Sequence, residues 1–371
     1  MWYAVISAVL AVVISGAVYI SFRSADFSIL KRIAGGRKWL ARIIGFVILA
    51  ALTFVLWLLW GMMNALICVV HLAVIWILCD FIAFLVRKIS RKRKRRRSYR
   101  AGGAAIIICV VYLAVGWFLD HHVFVKYYEF ETDKIDGDVR VVQIADSHIG
   151  ATFHADKFEE YITDINELEP DAVVITGDFV DDDTTREDML AGCDALGKLQ
   201  TKYGVFFVYG NHDKGYYSES RRGWTGAEME SRLTDNGVTI LNDEACLIDG
   251  RFYIVGRRDR SDGRESARLS ASELMSEVDK SKYSIILDHQ PADFDAEAES
   301  GADLVLCGHT HGGQFIPINY VGEWIGENDL RYGHERRQNT DFVVSSGISN
   351  WAFKFKTGCN SEYVVIDIKG K

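Results

Sequence analysis

The sequence predicts an α/β domain placed behind an all-α apolar region of about four membrane-spanning helices. Three observations lead there. Four apolar stretches precede residue 120. From Val139 onward, short β-branched runs alternate with segments of helical spacing. Five short polar motifs each follow one of those runs. The motifs are Asp146-Ser147-His148, Gly177-Asp178, Gly210-Asn211-His212-Asp213, His289 and Gly308-His309-Thr310-His311-Gly312-Gly313. Strands alternating with helices form α/β domains, whose functional side chains sit on loops at strand ends.

The apolar stretches run near residues 2–20, 43–60, 65–86 and 104–119. Each is close to the ~20 residues a helix needs to cross a bilayer. Met62-Met63-Asn64 leaves only a tight turn between the second and third, so those two are expected to form a hairpin. The first stretch lacks a positive leading segment and a small-x-small cleavage site, so it reads as a retained anchor. His71 and Asp80 are polar groups inside the third stretch, and Asp80 is placed to pair with Arg87 or to reach the interface. These spans give a transmembrane region over 1–120, a juxtamembrane linker over 121–137 and a soluble domain over 138–371.

Charge divides the chain the same way. The net charge of -8 hides 16 Lys/Arg against only Asp26 and Asp80 in residues 1–100, and 26 Lys/Arg against 48 Asp/Glu in the rest. The first part is therefore +14 and the remainder -22. An acidic folded domain argues against a nucleic-acid partner. The basic residues lie between the first two spans (Arg23, Lys31, Arg32, Arg37, Lys38, Arg42) and in the loop 87–100 after the third. Positive loops stay in the cytoplasm. Four alternating spans then put the soluble domain on the extracytoplasmic side of the cell membrane, with the lipid bilayer as its partner.

Within the soluble domain, strands are expected at Val139–Ala145, Ala172–Thr176, Val205–Tyr209, Ala245–Ile248, Phe252–Val255, Tyr283–Leu287, Leu304–Cys307, Phe342–Ser345 and Tyr363–Ile368. Helices are expected at Ala155–Leu168, Arg186–Gln200 and Ala227–Asn236. In Ala155–Leu168, Phe158, Tyr161, Ile162 and Ile165 share one face at helical spacing. Seven cysteines are present and no Cys-x-x-Cys occurs, which speaks against zinc-ribbon or thioredoxin-type chemistry. The four cysteines of the soluble part leave a disulfide open, although Cys307 lies in a strand beside a histidine motif.

The motifs gather oxygen and nitrogen donors. In extended backbone, alternate residues share a side, so Asp146 with His148, and His309 with His311, can each face one cation. Asp178 follows a glycine that permits a sharp turn, and a carboxylate has two oxygens with which to bridge two ions. Asn211 adds an amide oxygen. Asp213 is placed to orient His212. Singly, each motif is common. Together they supply seven ligands, enough for two ions, and leave one histidine for chemistry.

This ordered set resembles the calcineurin-like metallophosphoesterase superfamily, whose pattern is Asp-x-His, Gly-Asp, Gly-Asn-His-Asp/Glu, His and Gly-His-x-His. The resemblance covers roughly residues 138–368. The longer Gly-His-Thr-His-Gly-Gly-Gln form, ending at Gln314, is similar to the membrane-attached bacterial branch that includes YkuE-type proteins. The resemblance implies a calcineurin-like four-layer αββα sandwich. It implies that Asp146, His148 and His311 hold one divalent metal, that Asn211, His289 and His309 hold a second, and that Asp178 bridges them. His212, with Asp213, would serve catalysis, facing the leaving-group oxygen or stabilising the equatorial charge. Two cations about 3.5–4 Å apart polarise a phosphoryl group and acidify a bridging water, whose hydroxide attacks phosphorus in line. Donors without thiolate suit Mn, Fe, Zn or Mg alike.

Arg221, Arg222 and Arg257 lie near these motifs in sequence and are candidates for contacting a phosphorylated, lipid-linked or envelope substrate. The Asp181-Asp182-Asp183 run reads as a solvated loop. The lysines and aromatics of Asn350–Lys356 depart from the family pattern and are candidates for touching substrate or membrane. The leading expectation is a membrane-anchored, metal-dependent hydrolase of a phosphomonoester or phosphodiester. A cytoplasmic-face nucleotide-lipid pyrophosphatase and a non-catalytic membrane sensor with a retained metal site stay open beside it.

Overall fold

The computed structural model describes residues 2–89, 99–214, 222–262, 268–316 and 318–371. The basic run 91–97 and Arg221 lie outside them. The chain divides into two compact units, one of residues 1–116 with 352–354, the other of residues 117–351 with 355–371.

The first unit is helical: α1 (Trp2–Ser24), α2 (Ser28–Ile33), α3 (Lys38–Trp60), α4 (Met62–Ile89) and most of α5 (Arg100–His121). Helices α3, α4 and α5 are long and apolar enough to cross a membrane. The break between α3 and α4 is tighter than Met62-Met63-Asn64, because Gly61 alone makes it at φ 83° and Met62 is already helical. Ile20, Leu49, Val69, Ala73, Trp76 and Ala105 form the core of this unit.

Asp80 does not pair with Arg87. Its carboxylate accepts from Arg23 Nε at 2.6 Å and Nη2 at 2.8 Å, from Tyr19 at 2.6 Å and from Tyr99 at 2.8 Å. A partner near in sequence loses to one brought close by packing of α1 on α4.

The second unit contains two six-stranded sheets. The first has the order β1-β12-β2-β3-β4-β5, built from β1 (Val123–Thr132), β12 (Ser361–Gly370), β2 (Val139–Ile144), β3 (Ala172–Thr176), β4 (Val205–Val208) and β5 (Val238–Ile240). The other has the order β10-β11-β9-β8-β7-β6, built from β10 (Gly333–Arg337), β11 (Thr340–Val344), β9 (Leu304–Cys307), β8 (Tyr283–Leu287), β7 (Phe252–Gly256) and β6 (Glu244–Ile248). Strands β2, β3 and β4 are mutually parallel, as are β8 and β9.

Strand alternation sorts the apolar residues into layers. Val141, Val174, Phe206, Ile285 and Leu306 fill the space between the sheets. Val142, Ile144, Val173 and Phe207 face the other way, onto Phe158, Ile162, Met189 and Leu233 from α6 (Ala155–Asn166), α7 (Arg186–Leu196) and α8 (Gly226–Asp235). On the far side, Val255, Ile286 and Phe342 pack on Leu274, Phe294 and Ala298, carried by α9 (Ala271–Leu274) and α10 (Phe294–Ser300). The result is the expected αββα sandwich. Each fully buried Val, Leu, Ile or Phe contributes ~1.5–3 kcal/mol to holding it together.

The stretch expected to be a linker, 121–137, instead supplies β1, which pairs in parallel with all ten residues of β12. Its charged Lys126, Glu129 and Glu131 suit an edge strand.

Candidate metal centre

All five motifs lie at the C-terminal ends of parallel strands. Asp146 and His148 follow β2, Asp178 follows β3, Asn211 to Asp213 follow β4, His289 follows β8, and His309 and His311 follow β9. Gln143 ties the two sheets together beneath them, donating from Nε2 to Thr176 Oγ1 and to the Cys307 carbonyl, both at 2.9 Å.

The chain reaches this arrangement by leaving ordinary backbone. Asp146, His148, Asp178, His309 and His311 all have positive φ, between 37° and 72°. Asp, Asn and His tolerate this region better than most residues, at ~1–3 kcal/mol each when the surroundings enforce it. Extended-strand alternation therefore does not explain why Asp146 faces with His148; left-handed turns do. Gly177 is needed for close approach. A Cβ there would lie 2.6 Å from the Gly210 nitrogen and 2.7 Å from His289 Nδ1.

Two groups of donors result. Ligand atoms of Asp146, His148 and His311 lie within 4.8 Å of one another, and so do those of Asp178, His289 and His309. Asp178 Oδ2 lies 3.1 Å from His289 Nε2 and 3.7 Å from His148 Nε2, so this oxygen faces both groups. Asn211 Oδ1 is 3.1 Å from His289 Nε2. His289 donates from Nδ1 to the Thr176 carbonyl at 2.8 Å, which turns Nε2 toward the carboxylates, as an outer hydrogen bond does for a ligating histidine.

The donors fit metal ions. Asp146 Oδ2, His148 Nε2, and Nδ1 of His309 and of His311 are buried without a hydrogen-bond partner among the described residues. A fold normally satisfies such atoms. Burial pushes the Asp146 carboxyl up to about 6 despite the nearby histidines. Burial works against charge on His289, yet the Asp178 and Asp146 carboxylates hold it well above its usual pKa. Burial, then His289, lowers His309 to about 4. The pocket favours positive charge beside the carboxylates at His289 and keeps an imidazole lone pair free on His309 and His311.

His212 is mostly buried. Its ring lies 5.1 Å from that of His148 and 5.2 Å from that of Trp351. Its backbone N–H donates to Asp178 Oδ1 at 2.8 Å. Asp213 has a role other than the expected one of orienting His212. Its buried carboxylate accepts N–H groups from Asp178, Phe179, Val180 and Gly210 at 2.7–3.2 Å, binding two ligand loops together.

Three further expectations need correction. Arg257 is only 3% exposed, and its guanidinium is taken up by Asp288, Asp293 and Glu297 at 3.0–3.1 Å. The same Asp288 and Asp293 also hold Arg268, so Arg257 is structural rather than substrate-facing. Asp181 is not a solvated loop residue. It is buried, with Oδ2 3.5 Å from His148 Nδ1, and the sequence carried no sign of this because Asp182 and Asp183 disguise it. Lys356 is wholly buried and touches neither solvent nor lipid. Arg222 is also buried, over the Trp224 ring at 4.3 Å, and its Nε and Nη1 have no hydrogen-bond partner among the described residues. All seven cysteines are free.

Residues 139–313 match the family model described as calcineurin-like phosphoesterase. The chain is 31% identical to an uncharacterized metallophosphoesterase of Aquifex aeolicus, over 67% of this chain and 92% of that one. It is 31% identical to the uncharacterized metallophosphoesterase YkuE of Bacillus subtilis, over 50% of this chain and 62% of its relative. It is 26% identical to a Bos taurus transmembrane protein with metallophosphoesterase domain, over 60% and 51%. In several curated relatives, these last two included, the chain spans only 51–63% of the relative's length.

Proposed function

We propose, from the premise that this chain belongs to the calcineurin-like metallophosphoesterases, that it is a membrane-anchored, two-metal phosphoesterase. The observation that carries the reading is the pair of donor groups facing one Asp178 oxygen, with His212 beside them but outside both. Asp146, His148 and His311 would hold one divalent ion. His289, His309 and Asn211 would hold another, and Asp178 would bridge them.

Metals bound there would supply Lewis acidity toward phosphoryl oxygens and a more acidic water. The chain's own residues do the remainder. Asp181 and the Thr176 carbonyl orient His148 and His289. Asp213 fixes the spacing between the Asp178 and Asn211 loops. His212, outside both donor groups and with its ring 5.1 Å from that of His148, would give a proton to the departing oxygen. Arg222, a buried cation over Trp224, supports an anionic substrate.

Three long apolar helices and a relative named as a transmembrane protein point to membrane association. The distribution of Lys and Arg supports multiple spans and an extracytoplasmic catalytic unit, and tethering supports a lipid-linked or envelope phosphate. A phosphatase reporter fused after Lys371 should be active only outside the cytoplasm; activity confined to the cytoplasm would favour the nucleotide-lipid pyrophosphatase. Elemental analysis tests the centre itself. Wild-type protein should retain two Mn per chain, and His311→Ala and His309→Ala one each. Two retained ions in both variants would refute the ligand assignment.

A further inference from the structure

The loop after β11 presents one exposed aromatic side chain beside His212. Trp351 is 43% exposed, and its ring lies 5.2 Å from the His212 ring at 47°. Single exposed apolar side chains are ordinary. What sets this one apart is the buried polar framework that holds it.

Asn350 is wholly buried. Its Oδ1 accepts from the Trp351 N–H at 3.0 Å and from Gln314 Nε2 at 2.9 Å. Its Nδ2 donates to Asp120 Oδ1 at 2.8 Å. Lys356 then closes the loop from below. Its Nζ donates to the carbonyls of Ser346, Gly347 and Ser349 at 2.7, 3.2 and 2.8 Å. The same loop is bonded to the first motif, through the Ile348 N–H to the Ala145 carbonyl at 2.9 Å and the Ser349 N–H to the Asp146 carbonyl at 3.2 Å. A buried lysine and a buried Asn–Asp pair are costly to desolvate. Here they fix a short loop whose outward product is an indole face at a set distance from His212. A wall held this firmly loses little entropy when a ligand packs on it.

We infer that Trp351 determines specificity by lying against the leaving group. The substrate is then a phosphoester whose leaving group carries an apolar portion, aryl or alkyl, immediately beyond the ester oxygen. This rests on the proposed placement of His212 at that oxygen. Trp351 makes no bond to phosphorus and donates no proton. It adds contact area on the leaving-group side and excludes water from His212.

Binding of phosphonates tests this without needing turnover, because their carbon stands where the ester oxygen and leaving group would be. Full-length, Mn-refilled protein in detergent is titrated calorimetrically with methyl-, butyl- and phenylphosphonate. An aromatic contact added to area burial predicts about tenfold tighter binding of phenyl- than methylphosphonate. That preference should collapse in Trp351→Ala and survive in Trp351→Phe. Butylphosphonate separates the two sources: a preference equal to phenyl assigns an alkyl leaving group, a weaker one an aryl group. Equal affinities for all three in wild type, or a preference unchanged in Trp351→Ala, would overturn the inference while leaving the phosphoesterase reading intact. Failure of all three to bind the refilled protein would remove that reading, and this inference with it. Because Trp351 is exposed, neither variant threatens the fold.

Discussion

The buried carboxylate of Asp213 accepts the backbone N–H of Asp178 at 3.0 Å. The same group also accepts from Phe179, Val180 and Gly210, and Asp178 in turn accepts from the His212 N–H. Two ligand loops from adjacent strands are thus locked to each other before any ion arrives.

Asp213→Asn keeps the shape but turns one acceptor oxygen into a donor facing N–H groups. The unfolding free energy should fall by ~1–3 kcal/mol, and the affinity for Mn should fall with it because loop spacing changes. Denaturant melts with and without Mn measure both. An unchanged melt would mean that the four hydrogen bonds do not hold the loops.

Ions that bind only the folded state stabilise it by mass action, by roughly 2.7 kcal/mol at a hundredfold excess over Kd. Stripping metal with a chelator should therefore lower the melting temperature, and refilling should restore it. Asp178→Ala removes the oxygen that faces both donor groups, and its melting temperature should barely respond to Mn.

Arg257 sits among Asp288, Asp293 and Glu297. Arg257→Met leaves the Asp288 and Asp293 carboxylates less compensated, so stability should drop by ~3–5 kcal/mol. The KM of any substrate should stay within about twofold. A large KM change with an unaltered melt would return Arg257 to the substrate site.

Burial, then the Asp288 carboxylate, pushes the Glu297 carboxyl well above its ordinary value near 4.5. A group whose pKa is raised by folding holds its proton more tightly in the folded state. Its contribution to stability is complete below about 4.5 and is lost as pH rises through the folded value. Glu297→Gln stays neutral throughout, so the wild-type melting temperature should decline more steeply than the variant's from about pH 4 to 8. Parallel curves would show that Glu297 is ionised in the folded protein.

Much of the centre was legible in the sequence because each donor directly follows an apolar run, and a run of Val, Ile and Leu marks its strand plainly. Asp146, His148, Asp178, His289, His309 and His311 could be placed at strand ends from that alone. What could not be read were partners set by the crossing of distant segments. Nothing in the sequence distinguishes Arg257, enclosed by Asp288 just after β8, Asp293 just before α10 and Glu297 within it, from Arg222, which is buried over a tryptophan. Lys356 looks like any surface lysine until three carbonyls are seen around its Nζ. Asp181 is hidden by its two acidic neighbours. Strand β1 pairs with β12, more than 220 residues later, and that distant partner supplies the reason it is a strand.

The most direct measurement is turnover by metal-stripped protein refilled with Mn, using a chromogenic phosphodiester and the matching monoester, beside His212→Ala and Asp178→Asn. The account predicts hydrolysis of at least one ester in the refilled wild type, none in the stripped protein, and loss in both variants, with His212→Ala still binding Mn. Hydrolysis that persists without metal, or that survives in Asp178→Asn, would contradict it.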